Sequence, residues 1–350
     1  MSESILPPPL PDAIPPDRAV GITTTVPVEV IFAAGLLPVD LNNVFVASED
    51  PLALVRAAER AGFPQTCCCW TRGLYGAAHR LGLRRLIGVT QGDCSNTHAL
   101  MEALSYEGAE CIPFEFPYRS DGRKVRQSIA NLARELGADM AEARRWQEVL
   151  RQVRLRAAEI DRLSWEEGKV SGFENHLWLV STSDFCTDPD AYHSAAERFV
   201  QAAAARRPII AHRVRLAYVG VPPILPALYD HLEAFGALVV LNEMQRQFAM
   251  PGPRVSLGKQ YARYTYPYGI FSRLEDIRRQ CALRRVDGII HYVQSFCFRR
   301  IEDRILRAEI GLPVLTVECD TPGPLSGQLK TRLEAFVQML EARKRGLSIF

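Results

Sequence analysis

The sequence lacks an excess of either charge. Its 350 residues carry 42 Lys and Arg against 40 Asp and Glu, which leaves a net charge of +2. Proteins that wrap nucleic acid or coat anionic membranes need a strongly basic surface, so we expect neither partner. The sequence also has no uninterrupted apolar run long enough to cross a bilayer, since Glu29 and two prolines break the longest one, VPVEVIFAAGLLPV. It therefore predicts no membrane-spanning helix.

Several motifs that identify common enzyme classes are missing. The sequence contains no GxGxxG, no GxxxxGK[ST], no HExxH, no CxxC and no GxSxG. Nicotinamide dehydrogenases, P-loop ATPases, zincins, thioredoxin-like enzymes and serine hydrolases therefore lose support. The N-terminus has no basic start followed by an apolar stretch, and the nine cysteines are an odd number. We therefore expect a cytoplasmic protein with reduced thiols.

Short apolar runs alternate with helical stretches along most of the chain. The sequence is 47% hydrophobic and long enough for two cores. AVGITT, LPVDL, RLIGVT and AECIPF alternate with helical segments, and a second series of four runs begins near Arg215. This pattern predicts an α/β fold in which helices cover parallel sheets. We predict a proline-rich arm at 1–17, a first α/β domain at 18–122, a helical bridging segment at 123–207 and a second α/β domain at 208–350.

Three cysteines follow predicted strands and precede predicted helices. Cys68 lies in a triplet before TRGLYGAAHRLG, Cys94 follows RLIGVT, and Cys297 follows GIIHYVQ. Because parallel strands bind ligands beyond their carboxyl ends, these thiols can converge on a cleft between two domains. A helix N-terminus lowers the pKa of a thiol, and thiolates bind iron–sulfur clusters or zinc. The spacing alone leaves open whether these cysteines bind metal or are buried apolar residues.

The motifs around these cysteines resemble a known family. GITTTVPVEVIFAAGLLPVDL is similar to the opening signature of the 2-hydroxyacyl-CoA dehydratase and benzoyl-CoA reductase subunits, of the 2-hydroxyglutaryl-CoA dehydratase D-component type. CCWTRG is similar to their C-x-x-x-R-G motif, and GDCSNTH, VDGIIHYVQSFC and GQLKTRLEAF follow in the family's order. The resemblance implies two flavodoxin-like, doubly wound domains joined by a helical segment, with a 4Fe-4S cluster in the cleft between them.

The resemblance also assigns the cluster ligands. Cys68 stands four residues before Arg72 and so takes the place of the cysteine in C-x-x-x-R-G. Cys94 and Cys297 take the places of the family's second and third ligands. The resemblance thus implies one 4Fe-4S cluster held by three cysteines, with the fourth iron left open.

Other residues near these motifs have more than one possible assignment. Glu29 falls on an acidic position of the opening motif, which implies a catalytic side chain in the site, and a surface carboxylate is the alternative. Cys67 and Cys69 leave the register of the triplet open. His98 and His291 lie close in sequence to the second and third cysteines, and either a structural or a proton-donating role fits them.

The resemblance implies an enzyme subunit that acts on an acyl-CoA thioester. The reaction is that of a 2-hydroxyacyl-CoA dehydratase-like lyase or a benzoyl-CoA reductase-like oxidoreductase, through a ketyl radical. The implied partners are an ATP-hydrolysing activator protein as electron donor, and a sister subunit or a second copy of the chain. Two other interpretations stay open: an electron-transfer or assembly partner of the same fold, and a metal-free protein of two lobes that binds a small molecule. The sequence does not fix the acyl group or choose between a substrate-binding and a relay cluster.

Overall fold

In the computed structural model, the chain folds around two parallel β-sheets of four strands each. The structure describes residues 6–11, 14–209 and 214–346. The first sheet contains β1 (Ala19–Ile22), β2 (Leu37–Asp40), β3 (Arg85–Gln91) and β4 (Glu110–Glu115). The second sheet contains β5 (Val214–Gly220), β6 (Ala237–Asn242), β7 (Gly288–Val293) and β8 (Val314–Glu318). All eight strands coincide with the apolar runs, so the α/β prediction is confirmed.

Helices cover both sheets and connect them. The first lobe, defined as β1–β4 with their helices, contains α1 (Val28–Ala33), α2 (Leu41–Val46), α3 (Pro51–Arg60), α4 (Cys69–Arg80) and α5 (Ser95–Tyr106). The bridging helices are α6 (Gly122–Glu135), α7 (Met140–Trp165), α8 (Gly172–Val180) and α9 (Pro189–Ala204), with 3-10 turns at Ser181–Ser183 and Phe185–Thr187. The second lobe, defined as β5–β8 with their helices, contains α10 (Leu228–Ala234), α11 (Glu243–Phe248), α12 (Leu257–Arg263), α13 (Ile270–Leu283), α14 (Arg299–Glu309) and α15 (Gly327–Lys344).

The two sheets have the same strand order. It is β2-β1-β3-β4 in the first lobe and β6-β5-β7-β8 in the second, with every neighbouring pair parallel. This is the doubly wound order of flavodoxin-like domains, in which the winding reverses between the two central strands. The central strands β1 and β7 are buried along their whole length, as expected for strands covered by helices on both faces. The carboxyl ends of the central strands therefore define one crevice in each lobe.

The bridging helices begin with the predicted helical hairpin. Asp121 and Asp139 cap α6 and α7 by accepting hydrogen bonds from backbone N–H groups of the first turns. Helix α8 starts with a capping box, in which Ser171 and Glu174 each bind the other's backbone N–H. The domain limits stay a prediction, since parts of the arm and of the second domain lie outside the described residues, at 1–5, 12–13, 210–213 and 347–350.

Two large apolar cores cross from one lobe to the other. The first includes Ile22 of β1, Leu150 of α7 and Tyr261 of α12. The second includes Leu74 of α4 and Leu228 of α10. Because both cores contain residues of both lobes, side-chain packing holds the two lobes together. None of the described helices combines the length and apolar character that crossing a bilayer requires.

Candidate functional site

A small cavity of about 90 Å³ lies between the two lobes. Thr23 and Asp93, which follow β1 and β3, form part of its wall on the first lobe. Val221 and Gln294, which follow β5 and β7, form part of its wall on the second lobe. The cavity thus joins the crevices at the carboxyl ends of both pairs of central strands, where parallel sheets bind ligands.

The three cysteines singled out from the sequence all line this space, which we call the cysteine cavity. Cys68 and Cys94 immediately precede α4 and α5 of the first lobe, and Cys297 lies two residues before α14 of the second lobe. Of the other two cysteines in the triplet, Cys69 is buried in the first turn of α4 and does not line this cavity. Cys67 lies outside the cavity, on the surface groove described next.

A wider groove of about 840 Å³ lies outside the cysteine cavity. Cys68 and Cys94 border both spaces, and Phe296, with 67% of its surface exposed, lies on the outer one. The cysteine cavity is therefore reached from the protein surface through a groove that also exposes Cys67.

Burial outweighs the helix N-termini in setting the pKa values of the three thiols. Backbone N–H groups donate to each sulfur, from Thr71 to Cys68, from Thr97 to Cys94 and from Arg299 to Cys297, and each of these bonds lowers the thiol pKa. Burial nevertheless raises the pKa to about 11 for Cys68 and about 12 for Cys94, and it raises the pKa of Cys297 as well. The net shift is thus opposite to the lowering predicted from the helix starts, because the sequence does not show how far burial removes water from these thiols.

Two buried N–H groups at the cysteine cavity have no partner within the described protein. Gln294 accepts a hydrogen bond from the Cys68 thiol on its Oε1 at 2.8 Å, and its Nε2 is left without an acceptor. The indole Nε1 of Trp70 is likewise buried and unpaired. Unpaired buried donors are costly, so their presence beside three thiols fits a bound group rich in acceptor atoms, such as sulfide and thiolate sulfur.

Arg299 gives the cavity a fixed positive charge. Its guanidinium lies over the ring of Tyr266, 4.6 Å from the centroid, and donates to the Tyr266 backbone carbonyl at 3.0 Å. Only 2% of its surface is exposed, and its charge lowers the pKa of both Cys297 and Asp93 relative to burial alone. A cationic side chain held in this wall offsets the negative charge that three thiolates would carry.

A pair of buried carboxyl groups lies at the first-lobe wall of the cavity, with Asp40 on the wall and Asp184 behind it. Asp40 lines the cavity, and its backbone N–H donates to Asp184 Oδ2 at 2.7 Å. Burial and the nearby Asp40 raise the pKa of Asp184 to about 7, and burial raises the pKa of Asp40. Three consecutive non-glycine residues after Asp184, from Phe185 to Thr187, have positive φ angles of 54°, 53° and 65°. This costly turn holds Asp184 in place and is typical of functional sites.

Glu29 lies away from the cysteine cavity. It is fully buried, so it is not a surface carboxylate. It accepts hydrogen bonds from Arg154 Nη1 at 2.8 Å, from Gln260 Nε2 at 3.0 Å and from the Tyr261 hydroxyl at 2.7 Å. It does not line the space that the three cysteines share. Its assignment as a catalytic residue stays a prediction, and its surroundings point to a second cavity described below.

The two histidines named from the sequence have structural partners. His98 Nε2 is 2.5 Å from the Thr90 carbonyl oxygen on the outside of α5. His291 is fully buried, with Nδ1 2.7 Å from Asp303 Oδ1, and burial lowers its pKa. Neither histidine lines the cysteine cavity.

A comparison with protein families identifies the family to which the chain belongs. The family model of the 2-hydroxyglutaryl-CoA dehydratase D-component matches residues 23–340. The chain belongs to the 2-hydroxyglutaryl-CoA dehydratase D-component family. None of the curated proteins compared with the chain matches it. As a D-component relative, the chain is a component of a dehydratase-type enzyme system, and its family implies a partner subunit.

In this D-component relative, sequence reasoning missed several residues of the cavity wall. Gln294 and Arg299 stand three residues before and two residues after Cys297, so their closeness in sequence was the available signal. Asp40 is the last residue of β2 and gave no such signal, because its partner Asp184 is 144 residues away. Within the described part of the chain, no three or more His, Cys, Asp or Glu side chains are close enough together to hold a single metal ion.

Proposed function

We propose that the chain is the cluster-bearing subunit of a CoA-thioester dehydratase or reductase, with a 4Fe-4S cluster bound by Cys68, Cys94 and Cys297. The observation that carries this proposal is that these three thiols, from both lobes, line one small cavity. Thiolates of a 4Fe-4S cluster bind separate irons, so they surround the cluster rather than crowd one ion. Cysteines on different walls of a cavity fit that arrangement.

The protein's own groups are suited to hold such a cluster. A bound 4Fe-4S cluster supplies single electrons at low potential, which is the hard step in reducing or dehydrating a thioester. The backbone N–H groups at the starts of α4 and α5 donate to the cysteine sulfurs, and Gln294 Nε2 is a buried donor that a cluster sulfur would accept from. Such bonds and the exclusion of water tune a cluster's potential. Arg299 adds a compensating positive charge.

Asp40 supplies the acid that dehydration needs. When a hydroxyl group leaves as water, its oxygen must accept a proton. Asp40 lines the cysteine cavity, and burial raises its pKa, which favours the protonated carboxyl group. Asp184 behind it is buried as well, and burial together with the nearby Asp40 raises its pKa to about 7, so the pair keeps one proton near neutral pH. The proton therefore passes from a carboxyl oxygen of Asp40 to the leaving oxygen.

The surface groove is the route for an electron donor. An ATP-hydrolysing activator protein bound there approaches the cluster from outside, beside Cys67 and Phe296. A sister subunit or a second copy of the chain completes the enzyme, as the family implies. We place the reaction in the cytoplasm and leave the acyl group, and the choice between dehydration and reduction, to experiment.

Iron and acid-labile sulfide analysis of anaerobically prepared protein tests the proposal. We expect about four irons per chain in the wild type, which is the content of one 4Fe-4S cluster. Cys68→Ser, Cys94→Ser and Cys297→Ser should each lose most of that iron. Cys111→Ser is the matched control, because Cys111 is partly buried in β4 and does not line the cavity. Full iron in all three cavity variants, or no iron in reconstituted wild type, would contradict the proposal.

A further inference from the structure

A second cavity of about 470 Å³ lies beside α7, and most of its charged lining residues are arginines. One wall is a single face of α7, and the other is formed by residues 249–256 and the end of α12. The lining includes one acidic residue, Glu148, and five arginines: Arg144, Arg151, Arg154, Arg254 and Arg263. We call this space the arginine cavity. Its volume is that of an ordinary small-molecule site.

The floor of the arginine cavity contains a buried guanidinium that is only partly paired. Arg154 is 7% exposed, and its Nη1 donates to Glu29 at 2.8 Å. Its Nε has no hydrogen-bond partner among the described residues. Glu29 also accepts from Gln260, which accepts in turn from Gln147, and both of these residues line the cavity. Glu29 thus positions the floor of the arginine cavity from behind.

The arginine side chains at the rim of the arginine cavity outnumber the acidic side chains that pair with them. Glu148 pairs with Arg151 at 2.7 Å and with Arg254 at 3.1 Å. The guanidinium groups of Arg144 and Arg263 make no hydrogen bond or ion pair with the rest of the described chain. The cavity therefore keeps an excess of positive charge even after its one glutamate and the buried Glu29 are counted. Converging guanidinium groups with free donors are the usual recognition groups for phosphate.

The arginine cavity and the cysteine cavity share a wall. Gln247 and Tyr264 line the arginine cavity, whereas Phe248 and Tyr266 line the cysteine cavity. The rings of Tyr264 and Phe248 are 6.2 Å apart, and Tyr264 stacks on Tyr266 at 5.9 Å. The two cavities therefore adjoin, so a ligand whose charged end occupies the first lies beside the second.

We propose that the arginine cavity binds the phosphate groups of a nucleotide, and that this nucleotide is the 3′-phospho-ADP end of the CoA thioester. The choice of CoA rests on the proposed function, since the acyl group must reach the cysteine cavity. The phosphate chemistry rests on the arginines alone. CoA carries a diphosphate and a 3′-phosphate on one ribose, and so presents several anionic groups to the arginines of both walls.

Equilibrium binding to the full-length chain tests the inference, with CoA, dephospho-CoA, ATP and pantetheine as separate probes. The variant is the double substitution Arg144→Gln with Arg263→Gln, whose side chains are exposed and unpaired, so that folding is preserved. The matched control is Arg56→Gln with Arg304→Gln, which removes the same charge from exposed positions outside the cavity. We expect CoA binding to weaken by about tenfold or more in the cavity variant only. Added salt should weaken CoA binding to the wild type more than to that variant.

The probes separate the possible sources of the phosphate. Weaker binding of dephospho-CoA than of CoA, and no binding of pantetheine, would support recognition of CoA by its phosphates. ATP bound as tightly as CoA, and weakened by the same variant, would keep the phosphate site and overturn its assignment to CoA. Unchanged CoA affinity in the cavity variant, or an equal loss in the control, would overturn the site.

Iron content measured on the same preparations separates this inference from the proposed function. Four irons per chain with no arginine-dependent CoA binding would overturn the arginine cavity alone. Arginine-dependent CoA binding in a chain that takes up no iron would overturn the cluster and keep the phosphate site.

Discussion

The two lobes have the same strand order but hold their part of the site by different means. The second lobe buries charges: Arg273, with none of its surface exposed, forms two bonds of 2.9 Å to Glu243 and one of 2.7 Å to Glu302. Glu302 also contacts Arg299, which lines the cysteine cavity. This network therefore extends from the core of the second lobe to the wall that carries Cys297.

The first lobe relies instead on close packing of helices. At Gly76, an added Cβ atom would lie 2.3 Å from the Leu54 carbonyl oxygen, so α4 and α3 touch through backbone. Cys68 stands immediately before α4, so this contact fixes its position. Two lobes with the same strand order thus position their thiols differently, by an ion network in the second lobe and by glycine-mediated helix packing in the first. The buried cation Arg299 comes from the second lobe, and two of the three proposed thiolate ligands come from the first.

The largest expected effect is on the ion network of the second lobe. Arg273→Met leaves Glu243 and Glu302 without their main partner, and removing one partner of a buried pair is expected to lower the free energy of unfolding by about 3–5 kcal/mol. Arg85→Gln is the matched change on the first lobe, in a largely exposed pair with Glu110, and should cost no more than about 1 kcal/mol. Denaturant unfolding of both variants measures the difference. Equal losses would mean that the network does not stabilise the second lobe.

The next effect concerns the helix contact of the first lobe. Gly76→Ala forces α4 away from α3, and we expect a loss of about 1–3 kcal/mol in unfolding free energy together with reduced iron uptake. Gly327→Ala is the control, because a Cβ atom at Gly327 meets nothing within 4 Å. Unfolding and iron analysis of both variants check this prediction. Unchanged iron content in Gly76→Ala would argue against the role of this contact in placing Cys68.

Features that depend on neighbouring residues in the sequence could be predicted, whereas contacts between residues far apart in the sequence could not. All eight strands could be predicted, because strands covered on both faces have apolar runs that are visible locally. The short helices α11 and α12 were missed, since the proline- and glycine-rich stretch between them is typical of a loop. At the site, the cysteines carried the family motifs. The unpaired amide of Gln294, the Asp40–Asp184 pair and the pairing of Glu29 depend on contacts across the fold, which no local pattern encodes.

The pH dependence of stability tests the carboxyl pair on the side of the first lobe. The pKa of Asp184 is raised to about 7 in the folded protein, so its contribution to stability is full below the pKa of an unfolded Asp, near 4, and is lost as pH rises through 7. In this window the wild type should lose up to about 1.4 kcal/mol per pH unit from this group. Asp184→Asn should remove that component. Unfolding measured from pH 4 to pH 8 checks it, and parallel curves for the two proteins would contradict the raised pKa.

The smallest expected effect is a shift in the reduction potential of the cluster when the side-chain amide of Gln294 is removed. Gln294→Leu removes the donor beside Cys68 while leaving the three thiols, so iron should be retained and the potential of the cluster should become more negative. Gln201→Leu, at an exposed position on α9, is the control and should leave the potential unchanged. Redox titration of the loaded chain measures the shift. An unchanged potential in Gln294→Leu would mean that this amide does not act on the cluster.

The central claim is that the two lobes share one cluster, and low-temperature EPR of the dithionite-reduced chain tests it most directly. Cys297 is the single proposed ligand from the second lobe, whereas Cys68 and Cys94 both belong to the first. The account predicts a 4Fe-4S signal in the wild type that disappears in Cys297→Ser, although both first-lobe ligands remain. An unaltered 4Fe-4S signal in Cys297→Ser would contradict the shared site and assign the cluster to the first lobe alone.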